Sequence, residues 1–569
     1  MKTQAWKELN NGLLKLKCMK PALLAAALFA FLIIGSLLAC DVCDSEDLTP
    51  KTILVPDDYQ SIQLAIDAAN NFDVILVKNG LYKEHIQIHK PLQVFAEGNS
   101  AAIQWSGGGH VVLIGQCYDV VFEGFVVNGS GNPHWAGIRV EQSTNITIAN
   151  NTVINGHRGV WLWDTQHCTF RGNHMYENTV NLEVWGLTQA HFTHNIDESN
   201  TVEAKPVYYW VNQKNRQIPP DAGYVAIVNS SNIIVKDLHL AKNAHGVLLA
   251  HANNCRVENV SLQHNVRGIQ VVISDNNTFQ DNTISDCAEA GIVFTACQNN
   301  TIFNNHIERN EWAVWFSFSP QLIKRRTTRN LVNRNCIQNN RIGIFLSESH
   351  NNTVINNIIS ENGIGFQLSN SNNNSVYHNN FLNNTLQVAT FGSNLHNMWD
   401  NSYPSGGNQW SDYSEVDVKS GHHQNEPHSD GLGDVPYLLY GSVYDRYPLS
   451  PPKIDFSFRP SPAKVSDTVF FEGVLLTSHS SIISWAWRLG DSSILSGQNV
   501  THTFSKEGSY NVSLTVTDSR NAVTIIEKEV NLANSSSEDA DTVIVAVIIA
   551  VALAFSIAFT YSAWKLLKR

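Results

Sequence analysis

The sequence has little charge, little methionine and, along its body, no closely spaced cysteines. Charged residues make up only 15% of 569, with a formal net charge of -12. That balance leaves no basic face and excludes a nucleic-acid partner. Cys117, Cys168, Cys255, Cys287, Cys297 and Cys336 stand singly, none in a Cys-x-x-Cys pair. Neither a zinc site nor a dense disulfide framework is signalled, so they read as small buried hydrophobes. Hydrophobic residues at 43% exclude a disordered chain, and the length asks for several domains.

The two ends carry long apolar runs. Lys2, Lys7, Lys15, Lys17 and Lys20 accompany Pro21–Ala39, the pattern of a secretory signal or, at that length, an uncleaved anchor within residues 1–40. Leu37-Leu38-Ala39-Cys40 resembles a lipoprotein cleavage box, although Leu38 is bulky for it. Thr542–Tyr561 has no charge and the length of a bilayer-spanning helix. Lys565, Lys568 and Arg569 follow within a 562–569 tail, which predicts a cytoplasmic C-terminus and an extracellular body. Asn-x-Ser/Thr triplets at Asn145, Asn229, Asn259, Asn351 and Asn511 permit N-glycosylation there.

Between the ends a small residue followed by an apolar run recurs, as at Gly137-Ile138, Gly159-Val160, Asn181-Leu182, Gly223-Tyr224, Gly246-Val247, Gly268-Ile269, Gly291-Ile292, Ala313-Val314, Gly343-Ile344 and Gly365-Phe366; most steps are 22 or 23 residues. Positions one and three after this marker are apolar in coil after coil, the alternation of a strand buried on one face. A period near 22 is too short for a helical hairpin and suits one coil of three short strands. Asn residues recur three before the marker (Asn178, Asn243, Asn265, Asn310, Asn340, Asn362) and eight before it (Asn151, Asn173, Asn305, Asn335, Asn357). They read as corner residues that tolerate left-handed backbone and bond along the stack. Two steps break the period, one of 42 residues from 181 to 223 that contains Lys205–Trp210 and one of 30 with a basic loop around Lys324, Arg325 and Arg326. Ile62, Ala65, Ile66 and Ala69, after Asp57 and Asp58, predict a short helix with an acidic N-terminus that caps the first coil.

The run Val55–Gln63, then Gly80-Leu81-Tyr82-Lys83-Glu84, looks like the opening of many surface β-helix proteins. With the coils, the Lys205–Trp210 segment, Trp399–Tyr413, Asp430–Asp434 and Asp445–Pro448, the chain resembles the NosD-type family, also described by carbohydrate-binding and sugar-hydrolase repeats. The resemblance covers roughly residues 53–450. It implies an all-β, right-handed parallel β-helix of a kind common on archaeal cell surfaces, and an association with copper insertion into nitrous-oxide reductase. Trp485–Asp491, His502-Thr503-Phe504 and Gly508–Val512 resemble the PKD family, which implies an Ig-like spacer over 454–532. The expected division is thus a cap and first coils over 53–100, repeats over 101–395, a closing cap over 396–450, the sandwich, and the terminal segments.

Outward positions are the informative ones. Two after the marker stand Arg139, Trp161 and Glu183, and four after it Glu141, Trp163 and Trp185, with His157, Arg158 and Asp164 beside them. One external face should carry all of these. Indole rings flanked by charges suit a polysaccharide or cell-envelope glycan, unless the Tyr208–Trp210 excursion folds over and covers them. The expected function is non-catalytic glycan binding or adhesion at the cell surface. The enzymatic alternative, a lyase, epimerase or hydrolase, draws on Glu141 and Glu183 as paired carboxylates, with Arg139 and His157. Asp430 and Asp434 in a Gly-rich loop offer oxygen ligands for calcium, although a plain turn explains them as well. His422, His423 and His428 are the one histidine cluster for copper, and four methionines add little sulfur. The fold carries over from the resemblance; the copper role does not.

Overall fold

The computed structural model describes residues 49–533 apart from 99, 130, 131, 133, 321–324, 395 and 415. The expected signal or anchor over 1–40, the membrane span over 542–561 and the tail over 562–569 lie outside the described residues. Among those described, no helix is long and apolar enough to cross a membrane.

The body is a parallel β-helix made of two stacks rather than one. In the N-terminal stack a front sheet holds Ile86–Ile88, Val112–Gly115, Ala136–Glu141, Arg158–Trp163 and Val180–Trp185. A side sheet runs from Thr52–Val55 to Asn195–Ile196. The third sheet has 15 strands, starts at Gly80–Tyr82 and continues through the C-terminal stack to Leu386–Phe391. Its pairs are parallel but for one: Thr201–Val202 and Lys205–Val211 form an antiparallel hairpin turned by Glu203 and Ala204, at φ 47° and 63°.

That hairpin reverses the strands while the coils go on stacking in one direction. The hand of coiling survives only if the core changes to the other face of the sheet, and it does. Val202, Val207, Tyr209, Tyr224, Ala226 and Leu248 pack into the N-terminal core; Tyr208, Trp210, Val225, Ile227, Val247 and Leu249 pack into the C-terminal one. The expected single column of markers is corrected accordingly. It ends where Val160 stacks on Leu182, and Val225, not Tyr224, stacks on Val247. Beyond the junction Ile269, Ile292 and Val314 lie in line as the period requires.

The asparagines do bond along the stack, but not as left-handed corners. Asn335 Oδ1 accepts the backbone N–H and the amide of Asn305, both at 2.9 Å, and Asn335 Nδ2 donates to the Ile302 and Asn333 carbonyls. The positive φ falls on the residue before each ladder position, for example Asn304, Arg309, Arg334 and Glu361. A left-handed corner points outward and takes many residue types, while the next position needs the amide.

The cap helix spans Ile62–Ala68. Its negative N-terminal partner is Glu84, whose carboxylate accepts the Ile62 and Gln63 N–H groups at 3.1 and 2.9 Å. Asp57 and Asp58 instead bind Lys78 and the Leu54 N–H, a correction to the expected acidic cap.

The closing cap is organised by Asp445, buried and accepting N–H groups from Asn408, Trp410 Nε1 and Tyr447. The sandwich runs from Lys453–Arg459 to Val523–Ala533 with Trp487 in its core. It is docked rather than strung out as a spacer. Gln409 exchanges two hydrogen bonds with the Val523 backbone, both 2.7 Å. Asn380 Nδ2 donates to Asn521 O, and Arg520 Nη1 to Asp430 O.

Candidate functional site

Strand register brings the front-sheet residues together. Arg139, Trp161 and Glu183 form one outward row, and Glu141, Trp163 and Trp185 the next. Neighbouring strands sit about 4.8 Å apart, so side chains 22 residues apart in sequence touch. The Arg139 guanidinium lies 3.7 Å from the centre of the Trp161 ring and 4.4 Å from that of Trp163. The two indoles stack at 5.4 Å. Arg158 covers Trp161 at 4.6 Å. Both carboxylates are engaged: Glu141 with Arg139 at 2.6 Å and Glu183 with Arg158 at 2.7 Å. Burial lowers the Arg139 pKa against the pull of Glu141.

Only part of this face is open. Arg139 is buried at 5% exposure, Trp161 is half-buried, and Trp163 is 40% exposed. The Tyr208–Trp210 segment is not what covers it, since it forms a strand of the shared sheet. The turn Gln189–Phe192 instead reaches the edge, placing His191 Nδ1 3.3 Å from Asp164 Oδ1. Gly186 makes this approach possible, because a Cβ there would lie 2.2 Å from the His191 Cβ. His157 Nδ1 and Trp161 Nε1 are buried without hydrogen-bond partners.

Asp164, the residue after Trp163, lines a groove of about 750 Å³ along the corner between front and side sheets. Gln116, Gln142 and Asp164 occupy equivalent left-handed corner positions on successive coils, and Tyr118, Thr144 and Gln166 bridge in register beside them. Sequence reasoning missed Gln116 and Tyr118, and His110 with Trp135 behind Trp161. The front-sheet strands here step by 26 residues, from Ile86 to Val112 to Ile138, and the first two lack the Gly marker. His110 sits 6.1 Å from Trp161 and 5.2 Å from Trp135. Burial, then Arg139, push its pKa down to about 4. A second aromatic set was also passed over: Trp315 stacks on Phe345 and touches Trp312, on the outward face of the C-terminal stack. Trp315 stands two after the Ala313 marker, the same offset as Trp161.

The calcium candidates hold turns. Asp430 accepts the Leu432 N–H and the Gln424 amide, and Asp434 accepts the Val418 and Lys419 N–H groups. His422 and His423 touch at 5.0 Å, but His422 Nδ1 faces the Tyr447 hydroxyl at 3.3 Å, and all three of His422, His423 and His428 are exposed. Burial drives the Cys168 and Cys255 thiols up to about 11 and those of Cys287 and Cys297 to about 12, far from the thiolate a metal needs. Among the described residues no three His, Cys, Asp or Glu side chains converge.

Fold and groove together define a two-stack β-helix protein with an aromatic and polar surface cleft and a docked Ig-like domain. The chain belongs to the family described as periplasmic copper-binding protein (NosD), whose model matches residues 58–218 and 199–415. The two matches overlap across the reversing hairpin. A PKD domain matches residues 449–533. The residues above do not fit the copper of the family's description. No curated protein matches the chain. Among solved structures it is similar to an alginate lyase from Paenibacillus sp. (11% identity, 60% of this chain and 99% of that one, TM-score 0.23). It is also similar to the catalytic domain of a GH87 alpha-1,3-glucanase (13%, 63% and 69%, 0.29). The sandwich is similar to the PKD1 domain of the Vibrio cholerae metalloprotease PrtV (23%, 14% and 96%, 0.13). Similarity this low says nothing about activity.

Proposed function

We propose that the protein binds a glycan of the cell envelope or its surroundings at the corner groove, without turning it over. The terminal segments would hold it there, with Thr542–Tyr561 as anchor and the body outside. Trp163 carries this reading: an exposed indole, held by Arg139 and one residue before Asp164, which lines a groove whose wall repeats polar side chains on three coils. Sugar rings stack on indole while amides and carboxylates bond their hydroxyls. Hydrolysis asks for two carboxyl groups free to act as acid and as base or nucleophile. Here Glu141 and Glu183 each hold an arginine, which favours binding over turnover.

The test is a glycan array probed with the wild-type and Trp163→Ala proteins. We expect Trp163→Ala to weaken binding about tenfold, the worth of one aromatic stack, and no product to form. Full-strength binding by Trp163→Ala sinks the site. Cleavage of a bound glycan, abolished by Glu141→Gln or Glu183→Gln, sinks the non-catalytic role.

A further inference from the structure

Resting on that reading, we infer that the ligand is an uncharged, hydroxyl-rich linear polymer lying along the stacking axis across three coils. The axis follows from the two rows that line the groove. Gln116, Gln142 and Asp164 repeat once per coil, as do Tyr118, Thr144 and Gln166. Rows spaced at about 4.8 Å run with the stack and not around it. A chain of repeating units meets repeating donors and acceptors, whereas a single sugar engages one coil.

The absence of charge on the ligand follows from how the cations here are engaged. Arg139 is held by Glu141 and Arg158 by Glu183. The groove lining contains no Lys or Arg, and its Asp164 Oδ1 lies 3.3 Å from a His191 Nδ1 that accepts the Leu187 N–H, so this carboxylate oxygen has no hydrogen-bond partner and repels an anionic ligand. Outside the lining, Asp119 next to Tyr118 accepts a hydrogen bond from the Asn145 amide. His110 behind Trp161 is kept neutral by burial. A uronate or sulfate would have to expel Glu141 or Glu183 from a guanidinium, leaving that carboxylate unpaired in a half-buried site. Glutamine amides, a threonine hydroxyl and a tyrosine offer both donors and acceptors, which is what neutral hydroxyls need.

The experiment is titration calorimetry on the full chain in detergent with a panel of neutral hexasaccharides (glucan, mannan, galactan, xylan, chitin) and acidic ones (galacturonate, alginate, sulfated galactan). At least one neutral hexasaccharide should bind about tenfold or more tighter than its disaccharide, with affinity changing less than about twofold between about 0.05 and 0.5 M salt. Gln142→Lys, an exposed change that adds one cation, should create salt-sensitive binding of hexagalacturonate that the wild type lacks. A wild type that prefers acidic hexasaccharides and loses them in salt overturns the uncharged ligand but leaves glycan binding standing. Equal affinity for disaccharide and hexasaccharide overturns the axial polymer. No binding across the panel overturns both this inference and the glycan reading.

Discussion

In the C-terminal stack asparagine ladders run through successive coils, Asn277 to Asn397 along one corner and Asn282 to Asn408 along another, each amide bonded to the next. The N-terminal stack has a ladder of three, Asn151, Asn173 and Asn200. Its first front-sheet strands recur every 26 residues, and its outward rows carry indoles, guanidinium groups and carboxylates. Regular coils bury their polar corners and give rigidity. Irregular coils leave corner side chains free to differ, and the glycan binding proposed above is placed on them.

The largest blow to this contrast would come from the ladder. Asn335→Ala leaves the buried Asn305 backbone N–H and one N–H of the Asn305 amide, whose other bond goes to Phe279 O, without acceptors, and takes one donor from the Ile302 carbonyl. At about 1–3 kcal/mol for each buried group left unpaired, we expect a loss of about 4 kcal/mol in chemical denaturation. A loss under about 1 kcal/mol would mean the ladders do not stiffen the stack.

Acid should act on the other half. His110 and His194 are pushed down to about 4 and His245 to about 3, chiefly by burial, from an ordinary 6.5. A histidine lowered in the folded state contributes stability that is complete above its ordinary value and lost as pH falls toward the folded one. Hydrogen exchange between about pH 7 and about pH 4.5 should therefore show the N-terminal coils and the junction loosening first. Earlier loosening of the C-terminal coils would reverse the comparison.

Gln409→Ala removes both bonds to Val523 and should cost about 2 kcal/mol, seen in calorimetry as a separate transition for the sandwich. A single unchanged transition would show that the docking does not depend on this amide. The smallest stability effect is expected at Trp163→Ala, within about 0.5 kcal/mol as for an exposed position. Trp161→Ala, which strips the cover from Arg139 and Arg158, should cost more. Equal melting of the two variants would deny the difference between exposed and covered indoles.

The period near 22 makes the coils legible, and stacking arithmetic alone puts Arg139, Trp161 and Glu183 in one row. Ion pairing was not legible, because the same register permits either free or engaged carboxylates. The reversal at 203–204 escaped as well. Tight hairpins are usually marked by Asn-Gly or Asp-Gly, and Glu203-Ala204 carries no such mark. The sandwich was recognisable from Trp485–Asp491, but its docking rests on Asn380 and Gln409, two polar residues like many others in the repeat.

The Glu203–Ala204 turn fixes the middle of the molecule and frees its length. The stacks meet at this turn and along the shared sheet just beyond it, where Leu248, Ala250 and Val272 still pack into the N-terminal core and the Asn181 N–H bonds Lys242 O, so whole rungs added farther out, for instance between Gly343 and Gly365, keep every contact at the junction. A single residue inserted between Val202 and Lys205 would shift the pairing and turn side chains meant for one core toward the other. The chain can be lengthened by duplication at a distance from its centre, but its centre admits no such change.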